Sequence, residues 1–475
     1  MKNKFIRSIC MALSILMACA ALSGCASRQN EEQEQKKETR VIEPMEAEEV
    51  NNLTFDITGG KDVMPISGYY GPYVNTYCRD GETPPDMITD EYWKMMADCG
   101  INLINYTQTS YNSAPDMVRK MLELGGTYGV GLIVTDEPLR KGSLLDEEAS
   151  ARINEYGNYP AFCGVHVIDE PNWPGYAPGD GTRDIEDFAP AFAQLDKLGV
   201  VAVSNLLPTY ASAKTEDYPK YVEEFLSTCP TPYLSFDHYV FDKGRDISEY
   251  FYNLSVIREK AQEYNIPFWT FIQAGSQWND SRGRFDSTTP YYPNEKQFDW
   301  NINTSLAYGA QGIEYFPLVQ PEHFSFAESK PYDFERNGIL GTWGNKTQWY
   351  YYAQNINKHL YAIDEVLMNS KNKGVIVNGE QAVNETARSS CILEGTSWRE
   401  LEDVSGDTMV GCFNYQGRTA LYVVNYDMEY AQDIKLTFYD ECRFCVIQNA
   451  EKAYYSGSEI VLSMQAGEGV LIVFE

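Results

Sequence analysis

Gly164-Val165-His166-Val167-Ile168-Asp169-Glu170-Pro171 is an apolar run that stops abruptly at two acids and a proline. A short, β-branched run bounded in this way reads as a buried strand, and the break marks where it leaves a sheet. On either side of it the same pattern recurs at 64–70, 101–106, 131–135, 200–205, 233–239, 267–273 and 312–316, so that eight strand candidates follow one another. Amphipathic stretches separate them. Thr89, for example, is placed to cap a helix, with Asp90 and Glu91 in the first turn and Gly100 just past its end. This alternation predicts an α/β fold in which parallel strands are joined by crossover helices. Eight units favour closure into a (β/α)8 TIM barrel, and no glycine-rich phosphate loop follows the first strand, as an open dinucleotide-binding sheet would require.

After a helical pattern over 348–369 the periodicity changes from helical to alternating, as in Ile434-Lys435-Leu436-Thr437-Phe438. Gln416-Gly417 lies between two apolar runs where a hairpin turn would sit. The chain therefore divides into a barrel over 62–370 and a small all-β sandwich over 371–475.

At the other end, Lys2, Lys4 and Arg7 precede an apolar run over 9–22 that is short for a membrane span, the pattern of an export signal. The run ends in Leu22-Ser23-Gly24-Cys25, which resembles the bacterial lipobox. That resemblance implies a signal peptide over 1–24, removed on export, and lipidation of Cys25. The segment 25–61 is then a lipidated cysteine and a polar, flexible tether. The expected location is the cell membrane, through a lipid anchor at the bacterial cell surface or in the periplasm.

A formal net charge of -30 and a pI near 4.5 leave little room for a basic patch, so nucleic acid is not an expected partner. No cofactor motif is found. Cys442 and Cys445 have a zinc-like spacing, yet the only histidines are His166, His238, His323 and His359, and buried thiols are the reading preferred to a metal site. Disulfides within the tail stay open. Nothing in the sequence fixes the oligomeric state.

In a (β/α)8 barrel the chemistry sits at the C-terminal ends of the strands, so the residues that matter are those at each strand break. Strand four ends in Asp169 and Glu170, strand three is followed by Asp136 and Glu137, strand six ends in Asp237, His238 and Tyr239, strand seven in Gln273, and strand eight carries Glu314. Acids crowd one rim. Two carboxyl groups can cleave a glycosidic bond, one protonating the leaving oxygen and one stabilising or attacking the oxocarbenium-like centre. Aromatic faces suit the flat C–H faces of sugars, and Tyr70, Trp173, Tyr239 and Trp278 fall on or near that rim.

The strand-four Asp-Glu, the segment 300–316 (WNINTSLAYGAQGIEYF) and 341–347 (GTWGNKT) resemble the barrel of clan A glycoside hydrolases, especially the N-terminal domain of family 42. The resemblance implies a glycosidase whose acid is Glu170. Clan A enzymes carry Asn-Glu after strand four and a nucleophilic glutamate after strand seven, whereas this chain has Asp169-Glu170 and Gln273. An adjacent Asp-Glu pair is similar instead to the substrate-assisted hexosaminidases of families 20 and 123. That similarity implies Asp169 as the group orienting a 2-acetamido substituent, with Tyr239 as a hydroxyl donor to it. Asp237 offers a third scheme, as base or nucleophile. The expected site is therefore catalytic Glu170, Asp169 and Asp237, with Tyr70, Trp173, Tyr239, Gln273, Trp278 and Glu314 binding a carbohydrate. The competing expectation is a non-catalytic glycan-binding lipoprotein on a degenerate barrel, which the absence of a strand-seven carboxylate favours.

Overall fold

The structure is a computed structural model that describes residues 42–73, 85–105, 115–135, 145–173, 184–209, 215–241, 246–275, 292–320 and 337–475. Cys25, Glu137 and Trp278 lie outside the described residues. Residues Ile42–Glu475 form one compact unit.

Eight strands, β1 (Ile66–Tyr69), β2 (Leu103–Asn105), β3 (Gly131–Val134), β4 (Phe162–Asp169), β5 (Ala202–Leu206), β6 (Leu234–Phe236), β7 (Phe268–Gln273) and β8 (Ile313–Phe316), form a closed parallel barrel in sequential order. Each overlaps a run read from the sequence. The crossover helices are α1 (Asp90–Cys99), α2 (Pro115–Tyr128), α3 (Glu147–Tyr156), α4 (Ile185–Lys197), α5 (Tyr218–Thr228), α6 (Ile247–Glu263), α7 (Glu295–Ala307) and α8 (Gln348–Met368). Their ends have local causes. Gly100 closes α1 in the left-handed region at φ 85°, and Thr89 stands at its N-cap although its hydroxyl makes no cap bond. Asp146 caps α3 by accepting from Ala149 N, and Asn294 and Gln297 form a capping box on α7.

From Trp300 to its end helix α7 has no simple apolar stripe, because that part is covered on all sides. Phe298, Trp300, Ile302, Leu306 and Ala307 are buried, and so are Asn301, Asn303, Thr304 and Ser305. The barrel lies on one side of the helix and the C-terminal domain on the other. A helix in that position meets most of its polar groups internally or across the contact, although Trp300 Nε1 and Asn301 Oδ1 have no partner among the described residues. Thr304 and Ser305 donate to Trp300 O and Asn301 O, while Asn303 donates to Gly467 O (2.8 Å) and accepts from Tyr422 OH (2.7 Å).

The C-terminal domain is β-rich, as expected, and is built from one curled antiparallel sheet. Its strands β9 (Ser370–Asn378), β10 (Leu401–Val404), β11 (Thr408–Tyr415), β12 (Arg418–Asn425), β13 (Gln432–Gln448), β14 (Glu451–Met464) and β15 (Gly469–Phe474) run in the order β10-β13-β15-β12-β11-β9, with β14 paired to β13. A short helix, α9 (Glu380–Thr386), follows β9. Alternate residues of these strands face opposite ways. Val410, Cys412, Leu421, Val423, Ile472 and Phe474 fill the inside of the curl, while Met409, Phe413, Ala420, Tyr422, Leu471 and Val473 join the core shared with the barrel. Gly411 is required here, since a Cβ would collide with the carbonyl of Ala307. Gln416 and Gly417, at φ 52° and 88°, make the hairpin turn between β11 and β12. The seven described cysteines are free thiols.

From Ile42 the N-terminal segment runs along this sheet and then under the barrel. Arg399 donates to Glu43 O, Asn414 donates to Glu46 O and Glu48 Oε1, and Lys373 pairs with Glu48 at 3.0 Å. Leu53, Phe55 and Ile57 then pack against Leu103, Ile133, Cys163, Val203, Tyr233 and Trp269, the lowest layer of the barrel interior. No described helix is long and apolar enough to cross a membrane.

Candidate active site

The strand registers fix which side chains enter the barrel. Ser67 pairs with Leu103 and Glu314, Phe271 with Glu314, Tyr69 with Asn105, and Asn205 with both Asp169 and Ser235. The interior is therefore layered. Tyr233 and Trp269 stack at 3.9 Å in the lowest layer. Above them lie Ser67, Asn105, His166, Ser235 and Glu314, and the acids stand at the upper end.

One irregularity puts Asp169 there. His166 faces the lumen, where its Nδ1 lies 3.2 Å from Asn105 Oδ1. Asp169 is three positions further on and would face the other way in a regular strand. Between them the β4–β5 register shifts, from His166↔Val203 to Ile168↔Ser204 and Asp169↔Asn205. The extra residue is a bulge at Val167 that restores the inward direction, as bulges beside active sites do. Asp169 then sits beside Asn205, and its charge acts on both Asp237 and Glu314.

Glu170 follows at φ 50°, in the left-handed region, which costs a non-glycine residue about 1–2 kcal/mol. The surroundings hold it there. Its N–H donates to Asn205 O (2.9 Å), and the buried Tyr221 of α5 donates to Pro171 O (2.8 Å) while accepting from Leu207 N (3.3 Å). Burial pushes the Tyr221 phenol well above its usual range, and Glu170, Asp237 and Asp169 add to the effect. Tyr70, at the end of β1, is a second non-glycine residue at positive φ, 65°. Such strain at two strand ends on one rim is typical of a working site.

Asp237, one residue past β6, is buried and accepts from Asn205 Nδ2 at 3.1 Å. Burial, then the neighbouring Asp169, push its carboxyl up to about 7, against the lowering effect of Asn205 and Tyr239. Glu314 has 0% exposure and accepts from Asn105 Nδ2 (2.9 Å), Ser235 Oγ (3.2 Å) and Ser67 Oγ (3.4 Å). Burial raises it to about 7 as well, with Asp169 adding to the rise and the three donors opposing it. A carboxyl that titrates near neutrality can give or take a proton at working pH.

Aromatic rings frame these acids. Tyr69 lies 5.0 Å from Tyr70 and 5.0 Å from Phe271, and Phe316 lies 5.2 Å from Tyr70 and 5.4 Å from Tyr239. The structure thus brings Glu170, Asp169, Asp237, Tyr70 and Tyr239 to one mouth. Glu314 lies beneath that mouth, fully enclosed. Gln273 is buried with both ends of its amide engaged, accepting from Phe241 N (3.1 Å) and donating to Gly275 O (3.1 Å). Trp173 is half-buried and packs against the main core. Sequence reasoning passed over Phe271, Phe316, Asn205 and Tyr221. The first three sit on strands already read, Asn205 and Phe316 at their ends, but a search for carboxylates does not select them.

No family model and no curated protein matches this chain. Solved structures do. A β-galactosidase from Bacillus circulans sp. alkalophilus shares the fold. It is 10% identical with a TM-score of 0.51, over 87% of this chain and 99% of its own. A catalytic mutant of a family 42 β-galactosidase from G. stearothermophilus is 9% identical with a TM-score of 0.48, over 87% of this chain and 98% of its own. A family 51 arabinofuranosidase from Xanthomonas axonopodis pv. citri is 8% identical with a TM-score of 0.41, over 87% and 96%.

Proposed function

We propose that this chain is a glycoside hydrolase that cleaves O-glycosidic bonds of an oligo- or polysaccharide by carboxylate acid catalysis. The observation that carries the proposal is the convergence of Asp169, Glu170 and Asp237 on one aromatic-framed barrel mouth, with Asp237 buried and titrating near neutrality. Glu170 is the proton donor in this reading, and Asp237 the group that meets the developing positive charge or activates water. The engaged amide of Gln273 supports assigning that second role to strand six, since strand seven offers no free group there among its described residues. Tyr70, Tyr239 and Phe316 receive the apolar face of the sugar.

Glu170→Gln should lower turnover of unactivated glycosides by about 10²- to 10⁴-fold and that of activated aryl glycosides far less, because a good leaving group departs unprotonated. An unchanged rate on an unactivated substrate would overturn the donor role. No activity on any glycoside in the parent, with glycan binding retained, would favour the non-catalytic reading.

The adjacency of Asp169 and Glu170 supports a second mechanism in which a substrate 2-acetamido group is the nucleophile. Asp169→Asn would then lose activity on 2-acetamido sugars alone, whereas Asp237→Asn abolishes activity on all sugars in the first mechanism. The enzyme works at the cell surface in this reading, held by lipid on Cys25, and Cys25→Ala should release it from membranes.

A further inference from the structure

The polar layer inside the barrel can be read for the direction of each hydrogen bond. Asn105 donates through Nδ2 to Glu314 Oε2, so its Oδ1 faces His166, and His166 Nδ1 must be the donor there. Asn205 donates through Nδ2 to Asp237, so its Oδ1 is an acceptor, and the hydroxyl at 3.2 Å from it is Ser235. Ser235 Oγ is also 3.2 Å from Glu314 Oε1. A serine has one hydroxyl proton. If Glu314 were ionised, both neighbours of Ser235 would be pure acceptors and one would go without a proton. If Glu314 is neutral, the Ser235 contact runs the other way from that of an ionised carboxylate: the Glu314 O–H donates to Ser235, and every contact is satisfied.

We propose that Glu314 is a positioning acid, the neutral link in a one-way hydrogen-bond chain that crosses the barrel and fixes the amide of Asn205 on Asp237. The chain runs from His166 through Asn105, Glu314, Ser235 and Asn205 to Asp237, with every proton pointing towards Asp237. The groups around Glu314 favour the neutral form. Asp169 acts on it from β4 and the Tyr233 phenol from the start of β6, and no described lysine or arginine bonds to it. A buried carboxylate with no cationic partner takes up a proton. Raising the pH reverses the arrangement: the ionised carboxylate draws the Ser235 hydroxyl, Asn205 Oδ1 loses its donor, and Asp237 loses a fixed partner.

The functional half of this proposal rests on the catalytic role given above to Asp237, and the structural half does not. Infrared spectroscopy of the full chain at neutral pH should show a protonated-carboxyl C=O band that is lost in Glu314→Gln and kept in Asp237→Asn. In the parent that band should fade with rising pH in step with the alkaline fall in kcat, with KM little changed. Glu314→Gln, whose amide can also donate to Ser235, should move that fall to higher pH. Ser235→Ala breaks the chain one link on, and should lower kcat at every pH while removing the extra alkaline loss. A carboxyl band equal in the parent and Glu314→Gln overturns the neutral state of Glu314. An alkaline limb that neither Glu314→Gln nor Ser235→Ala moves overturns the positioning role, and a parent without glycosidase activity, but with the band, overturns only the reading of Asp237.

Discussion

The two ends of the barrel interior are built from the same eight strands and do opposite work. The lower layer is closed and apolar: Tyr233 stacks on Trp269, and Leu53, Phe55 and Ile57 seal it from below. The upper end carries acids raised towards neutrality and two residues in strained backbone conformations. Strain and buried carboxyls cost stability, and a barrel whose other end is well packed can carry that cost. The division is between the half that holds the fold and the half that uses it.

Three experiments test that division. Trp269→Ala removes a fully buried ring and should lower unfolding free energy by about 3–5 kcal/mol in a denaturant titration, with kcat/KM per folded molecule nearly unchanged. A large fall in kcat/KM at intact stability would show that the lower layer also shapes the site. A smaller effect should appear at the upper end as pH changes. Asp237 titrates at about 7 in the fold, against about 3.9 for an unperturbed aspartate. The folded state therefore binds the proton more tightly. Its stabilising contribution is complete below about pH 4 and is lost as pH rises through about 7. Thermal unfolding of Asp237→Asn should accordingly fall less between pH 6 and 8 than that of the parent, and equal slopes would remove Asp237 from the account. Smallest is Phe55→Ala, because the ring is only half-buried. It should cost about 1–2 kcal/mol and leave the alkaline limb of activity in place.

Much of the barrel could be read from the sequence because the strands are short β-branched runs and the crossover helices have capped, amphipathic patterns. The acids at the strand ends were readable by position for the same reason. Other features had no sequence signal of their own. The bulge at Val167 depends on how β4 is held against β5, and nothing in His166-Val167-Ile168 announces it. Without the bulge, counting alternate residues would have turned Asp169 away from the lumen. Gln273 read as a missing nucleophile, whereas it is buried with one amide bond to Gly275 two residues on and the other from Phe241, which only the fold brings near. Segment 300–316 resembled a barrel helix and strand, but its helical half is buried all round because the curled sheet covers its outer side. A stretch read as tether is, from Ile42 onward, laid against that sheet and the barrel bottom, since Leu53, Phe55 and Ile57 supply apolar surface that the polar stretch before them lacks.

The docking of that segment has a mechanical consequence. A pull applied upstream of Ile42 would meet, in turn, the contacts of Glu43 with Arg399, of Glu46 and Glu48 with Asn414 and Lys373, and of Asn51 and Asn52 with Asn265 O and Met368 O. These lie one after another along an extended chain, so the force would load them in series and peel the segment from the sheet before it reached Leu53. The barrel strands would be the last part of the molecule to feel it. Such a pull would thus be taken up by the underside of the molecule while the acids at the opposite end keep their alignment.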